Sequence, residues 1–194
     1  MPLRKAALAL ALLAGVVHAA ALAERQNFNA GWRFHLGDIG GAEKADVDDH
    51  DWQAVGLPHS FGAPASRAPE VYVGYGWYRK ELVLAAVPAG RRWTLEFEGA
   101  FQTAVVYVNG AKVACHRGGH AGFPVDLTAA LRPGRNVIAV RVDNVWDPAF
   151  VPRAGERIAS GGIDRDVWLV TANAVRVAPG RRRGHAGHPG HRLE

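Results

Sequence analysis

From Gly76 to Val170 the chain repeats one pattern: short runs of alternating apolar and polar side chains, set apart by turn residues. Arg91 to Glu98 is the cleanest, with Trp93, Leu95 and Phe97 on one face and Thr94, Glu96 and Glu98 on the other. A period of two is the pleat of a half-buried strand. Asn136 to Val142 repeats it, with Ile138, Val140 and Val142 on one side. Gly76 to Leu84 reads as a strand with Arg79, Lys80 and Glu81 bunched in its middle. Ala104 to Ala114 reads as two strands hinged at Asn109-Gly110, a dipeptide that tolerates the positive φ angles of a type I′ turn. Arg132-Pro133-Gly134-Arg135 predicts a second turn, and Asp166 to Val170 a last clear strand. Upstream, Asn27 to Leu36 carries Phe28, Trp32 and Phe34 and reads as an entry strand laid over a sheet, while Pro64 to Pro69 is a loop by composition. Only Leu127 to Leu131 could form even one helical turn. Roughly eight such strands predict an all-β, antiparallel, two-sheet jelly-roll sandwich.

Composition sharpens this picture at both ends. Arg4 and Lys5 precede an apolar run, Ala6 to Val17, and Ala21-Leu22-Ala23 then offers a small-x-small cleavage site before Glu24. That is the layout of an export signal over residues 1–23, with a run too short to span a bilayer comfortably. The expectation is a periplasmic or extracellular protein with no membrane partner once the signal is cleaved. From Pro179 onward the pattern collapses into Arg, Gly, His and Pro, so residues 176–194 read as a disordered tail and residues 24–175 as the domain.

The formal charge of +5 belongs to those ends. Without Arg4 and Lys5, and without a tail holding five Arg against one Glu, residues 24–175 carry about −1. A basic nucleic-acid surface is excluded for the domain. His185, His188 and His191 stand among Gly and Pro with no carboxylate or Cys to complete a shell, so no metal site and no cofactor is expected. Cys115 is the lone cysteine; it rules out an intrachain disulfide and reads as a small apolar core residue, not a nucleophile served by His116 or His120.

Several phrases then fall in order: Leu57-Pro58-His59-Ser60-Phe61, Gly76-Trp77-Tyr78-Arg79-Lys80, Phe97-Glu98-Gly99-Ala100-Phe101 and Val106-Tyr107-Val108-Asn109-Gly110. They continue with His116-Arg117-Gly118-Gly119-His120, Ala139 to Asn144, and Gly161 to Leu169. The series resembles the N-terminal sugar-binding domain of glycoside hydrolase family 2, the β-galactosidase, β-glucuronidase and β-mannosidase group, over about residues 27–175. The resemblance implies a galactose-binding-like jelly roll that precedes an immunoglobulin-like domain and a TIM barrel, with both catalytic glutamates on the barrel. No catalytic residue therefore transfers to this chain, which by itself is expected to be inactive. Chemistry agrees: Glu96 and Glu98 share a strand face, but with Trp93, Leu95 and Phe97 turned to the core they lie on the wet side.

What the resemblance does carry over is substrate binding. A loop before the Gly-Ile-aromatic-Arg-Asp phrase reaches the barrel mouth in β-galactosidases and offers a carboxylate to a sugar hydroxyl; counting back from Gly162-Ile163, that position is Glu156. Trp146 is a second candidate, as a ring that could stack on a sugar face. Two departures stand out. Asp164 replaces the usual aromatic residue, and the Arg/Gly/His/Pro tail replaces an apolar strand and linker, which suggests a truncated or frame-disrupted gene product. The expected partners are a β-glycoside carbohydrate and a barrel catalytic domain or chain. The alternative is a free-standing lectin-like module, or a sandwich that docks onto a separate catalytic chain.

Overall fold

A computed structural model of the chain describes residues 23–62, 72–119, 121–145, 147 and 160–173. Among these residues it contains twelve strands and no helix. In chain order they are β1 Glu24–Asn27, β2 Trp32–Leu36, β3 Gln53–Val55, β4 His59–Phe61, β5 Tyr75–Leu84 and β6 Arg91–Phe97. Then follow β7 Gln102–Val108, β8 Ala111–Gly118, β9 Phe123–Asp126, β10 Gly134–Asp143, β11 Gly161–Ile163 and β12 Val167–Asn173. A small sheet runs β1-β12-β6-β9, a large sheet β3-β2-β5-β10-β7-β8, and β4 pairs with β11 at one end. Every pairing is antiparallel.

The core lies between the two sheets. Leu95 and Phe97 of β6, Val125 of β9 and Leu169 of β12 meet Ala104, Val106 and Val108 of β7 and Ile138, Val140 and Val142 of β10. The hairpin forms where Asn109-Gly110 predicts it, with φ of 52° and 87° at the two central residues. Asn109 also works at long range: its side chain donates to Ala130 O (3.1 Å) and accepts from Val137 N (3.0 Å). The single turn at Leu127–Leu131 is present too, closed by Leu131 N donating to Leu127 O at 3.2 Å.

The structure differs from the sequence reading in three places. The entry strand expected over Asn27–Leu36 is confined to β2 in the large sheet, and Asn27 ends β1 in the small one, so this segment links the layers instead of lying on one. In β10, Val137 and Ala139 are buried as well as the expected set. The cause is the segment 37–52, which folds over the outer face of the large sheet and forms a second cluster of Ala42, Trp52, Trp77 and Ala139. Cys115 is exposed, not a core residue, because β8 is an edge strand and this residue faces outward from it.

The bunched charges of β5 find their explanation in the same layering. Arg79 is fully buried under the segment 37–52: Nε bonds Asp49 Oδ2 at 2.7 Å, and the other nitrogens donate to Ala42, Lys44 and Val47 carbonyls. Lys80 points the other way and donates to Phe28 O (2.9 Å) and Ala30 O (2.6 Å), its Nζ 3.6 Å from the Phe28 ring centre. Burial without a carboxylate partner pushes its pKa down to about 8. Since the unfolded lysine keeps its ordinary value near 10.5, the unfolded chain binds more protons between those values, and stability rises as pH climbs through that window. Melting curves should therefore show a wild-type gain between pH 8 and pH 10 that is missing in Lys80→Met; parallel pH profiles for the two proteins would refute this assignment.

Candidate functional site

One end of the sandwich gathers features that packing alone does not require. The C-terminal ends of β2 and β10 and the N-terminal end of β5 lie side by side there, since Leu36 pairs with Gly76 and Tyr75 with Asp143. Beside them sits the β4–β11 pair, with Gly161 opposite Phe61. Three of the four large apolar residues exposed among the described residues, Leu36, Val73 and Val145, flank these strand ends.

Asn144 organises this end. Only 2% exposed, it accepts from Gly74 N through Oδ1 at 2.8 Å and donates from Nδ2 to Tyr72 O at 2.8 Å. Its backbone N–H donates to Gly74 O at 3.2 Å. A Cβ on Gly62 would lie 2.5 Å from Tyr72 O and 2.9 Å from Asn144 Nδ2; one on Gly161 would lie 2.9 Å from Asn144 Cβ. Gly62, Tyr72 and Gly161 therefore all close on one side chain. Gly62 and Tyr72, on either side of 63–71, and Asn144 and Gly161, on either side of 148–159, meet at this point of the fold.

The floor beneath is aromatic. Phe34 packs against His59, Tyr78 and Phe61 with ring centres 4.6, 4.8 and 5.7 Å apart. His59 Nδ1 and the Tyr78 hydroxyl are 2.9 Å apart. Burial holds the His59 imidazole below its ordinary pKa and pushes the Tyr78 phenol up, so both stay neutral near pH 7. Burial also raises the pKa of Asp143, the last residue of β10. Two ion pairs rim the end, Arg117–Asp147 at 3.0 Å and Arg141–Asp38, with the Arg141 guanidinium 3.8 Å above the Tyr75 ring.

Glu156 and Trp146, the two substrate-binding candidates, lie outside the described residues, as do His120, the tail histidines and the export segment. What the structure describes is where their segment is rooted. The residues that sequence reasoning missed are Asn144 and its glycine neighbours, whose partners lie 70 and 72 positions away.

Glu96 and Glu98 are on the wet face as expected, and both engage Arg25, at 3.5 and 3.2 Å. Glu98 also accepts from Trp168 Nε1 at 2.8 Å. No acid–nucleophile pair arises from them. The Gly161–Asp166 phrase is a structural clasp. Ile163 is in the core, and Asp166 accepts from Asn29 Nδ2 at 2.9 Å, while Val167 N donates to Asn29 Oδ1 at 2.8 Å. Asp164 is half-buried over Gly99, whose added Cβ would lie 3.1 Å from Oδ1.

Two antiparallel sheets over one core place this chain among the jelly-roll sandwiches. Comparison with known proteins narrows the class. Residues 43–173 match the family described as glycosyl hydrolases family 2, sugar binding domain, and the chain belongs to that family. A beta-galactosidase of Bacteroides ovatus is 36% identical over 165 residues, covering 79% of this chain and 19% of the relative. A beta-galactosidase of Thermoanaerobacter pseudethanolicus is 34% identical over 158 residues, 78% of this chain and 21% of the relative. Among solved structures, a Bacteroides uniformis beta-glucuronidase superposes with a TM-score of 0.71 at 32% identity, over 77% of this chain and 18% of that one. The chain thus spans about a fifth of the length of these relatives.

Proposed function

We propose that this chain is the carbohydrate-binding part of an exported β-glycosidase, and that it holds the sugar while a barrel domain or chain supplies the cleaving carboxylates. Export rests on the layout of residues 1–23. The binding role rests on one observation above all: Asn144 fastens the roots of both 63–71 and 148–159 at one end, beside the exposed Leu36, Val73 and Val145. A rigid base under two connections is what a binding loop needs, because side chains that meet a ligand must be held in place. On this reading Glu156 accepts from a sugar hydroxyl and Trp146 stacks on the ring. The apolar rim faces the barrel, consistent with an exposed patch kept for a partner.

Calorimetric titration of the full chain with galactose, glucuronic acid and lactose tests this. Saturable binding is expected for at least one, weakened about tenfold by Glu156→Ala, as one good hydrogen bond to a charged group implies. Binding unchanged in both Glu156→Ala and Trp146→Ala would refute the loop-end reading. Turnover of a fluorogenic β-galactoside, β-glucuronide or β-mannoside by the isolated chain would refute the division of labour. Export is tested by the mature N-terminus, expected at Glu24 in the periplasm or medium.

A further inference from the structure

A different opening lies at the far end of the sandwich, where β6 starts and β12 finishes. It is a cleft of about 320 Å³ between the edge strand β1 and the last residues of β5. Register explains its lining. Glu24, Thr171 and Trp93 stand opposite one another across β1, β12 and β6, and Gln26 stands opposite Leu169 in the next row. Trp93 shares its face of β6 with Leu95 and Phe97, so this row faces inward and brings a carboxylate, a hydroxyl and an indole to the mouth of the core. Leu82 and Leu84 of β5 complete the wall, with exposed Val83 at the lip.

Trp93 is unlike its counterparts. Trp32, Trp52, Trp77 and Trp168 each pack against an aromatic ring or a cation. Trp93 makes no such contact among the described residues, and its indole Nε1–H is buried without an acceptor. Arg91 Nε is likewise buried and unpartnered, although its Nη2 donates to Thr171 Oγ1 at 3.0 Å. Two N–H donors left unmatched beside one cleft carry a free-energy penalty; both are closed to solvent in this conformation, so an acceptor in the cleft relieves it only when the two side chains turn toward the opening.

We propose that this cleft is a second carbohydrate subsite, taking one pyranose ring. The volume lies at the lower end of the range for small-molecule sites, enough for a single sugar. A pyranose presents a C–H face that stacks on an indole and a rim of hydroxyls that both donate and accept. Trp93 supplies the stacking surface and a donor, Arg91 a second donor, and Glu24, Gln26 and Thr171 acceptors. The site is independent of the loop end: no residue is shared, so each can fail without the other.

The test is a 1H–15N titration of the full chain with galactose, glucuronic acid and lactose, following side-chain N–H signals. Saturable movement of the Trp93 Nε1–H and Arg91 Nε–H signals is expected with at least one sugar. Trp93→Ala should weaken that binding roughly tenfold, while Trp93→Phe, which keeps a ring and loses the donor, should weaken it less. Glu156→Ala should leave it unchanged. Signals that stay fixed up to about 50 mM sugar would overturn the proposal, since even millimolar affinity would then be absent. So would binding unaltered by both Trp93→Phe and Arg91→Gln, two variants that keep the site's bulk. Movement of the Trp93 signal on deletion of residues 174–194, with none on sugar addition, would also overturn it, in favour of the chain's own continuation as the occupant.

Discussion

Replacing Arg79 with Ala should bring the domain close to unfolding, with a loss of about 3–5 kcal/mol, the range for breaking a buried, fully hydrogen-bonded ion pair. The side chain is completely buried, and its removal strands Asp49 together with the carbonyls of Ala42, Lys44 and Val47. Those four partners span the segment that covers the outer face of the large sheet, so Trp77 and Ala139 lose their cover as well. Because folded domains hold only about 5–15 kcal/mol in total, a loss of this size is a large part of the whole. Arg79→Lys should recover less than half of it, since one ammonium cannot reproduce a planar fork donating in several directions. Urea denaturation checks both variants. A midpoint for Arg79→Ala within experimental error of wild type would show that the covering segment is held by its apolar contacts alone.

That same segment marks the limit of what the pattern of residues discloses. Strand β6 is legible because one face is buried and the other wet, and Asn109-Gly110 announces its hairpin because only certain residues tolerate its angles. β5 and β10 are covered on both sides, so the alternation legible in β10 marks only one of its two buried faces, and Arg79 looks like a surface charge until the chain is seen to fold over it. Strands of three residues such as β3, β4 and β11 are shorter than two full periods and carry no recognisable signal. Trp93 reads as core because of its face, yet only Arg91 precedes it among the inward residues of its strand, and so it stands at the mouth. The phrase Gly161–Asp166 points to the family, and its residues serve the fold: Gly161–Ile163 pair with β4, while Asp166 and Val167 bond the side chain of Asn29.

Asn144→Ala should lower stability and loosen sugar binding together, and the pairing of the two effects is what distinguishes it from an ordinary core defect. Removing the amide leaves Gly74 N–H and Tyr72 C=O without their partner, at a cost of about 2–4 kcal/mol for two half-buried hydrogen bonds. Those groups anchor the far side of 63–71 and the near side of 148–159, so any ligand held by Glu156 or Trp146 then pays to order its own site. Binding at the loop end should weaken several-fold at temperatures where the variant is still folded, while the Trp93 signal keeps its response. Asn144→Asp refines the test. It retains the acceptor for Gly74 N–H but turns a second oxygen toward the Tyr72 carbonyl, and two acceptors face to face favour the protonated carboxyl, which can donate. The pKa at that position is then raised in the folded state, so the lost stability returns below the ordinary carboxylate value near 4 and disappears as pH rises through the raised one. Melting curves of Asn144→Asp should approach wild type at pH 4 and fall furthest behind at pH 7; a deficit independent of pH would mean that the clasp works through shape and not through its two hydrogen bonds.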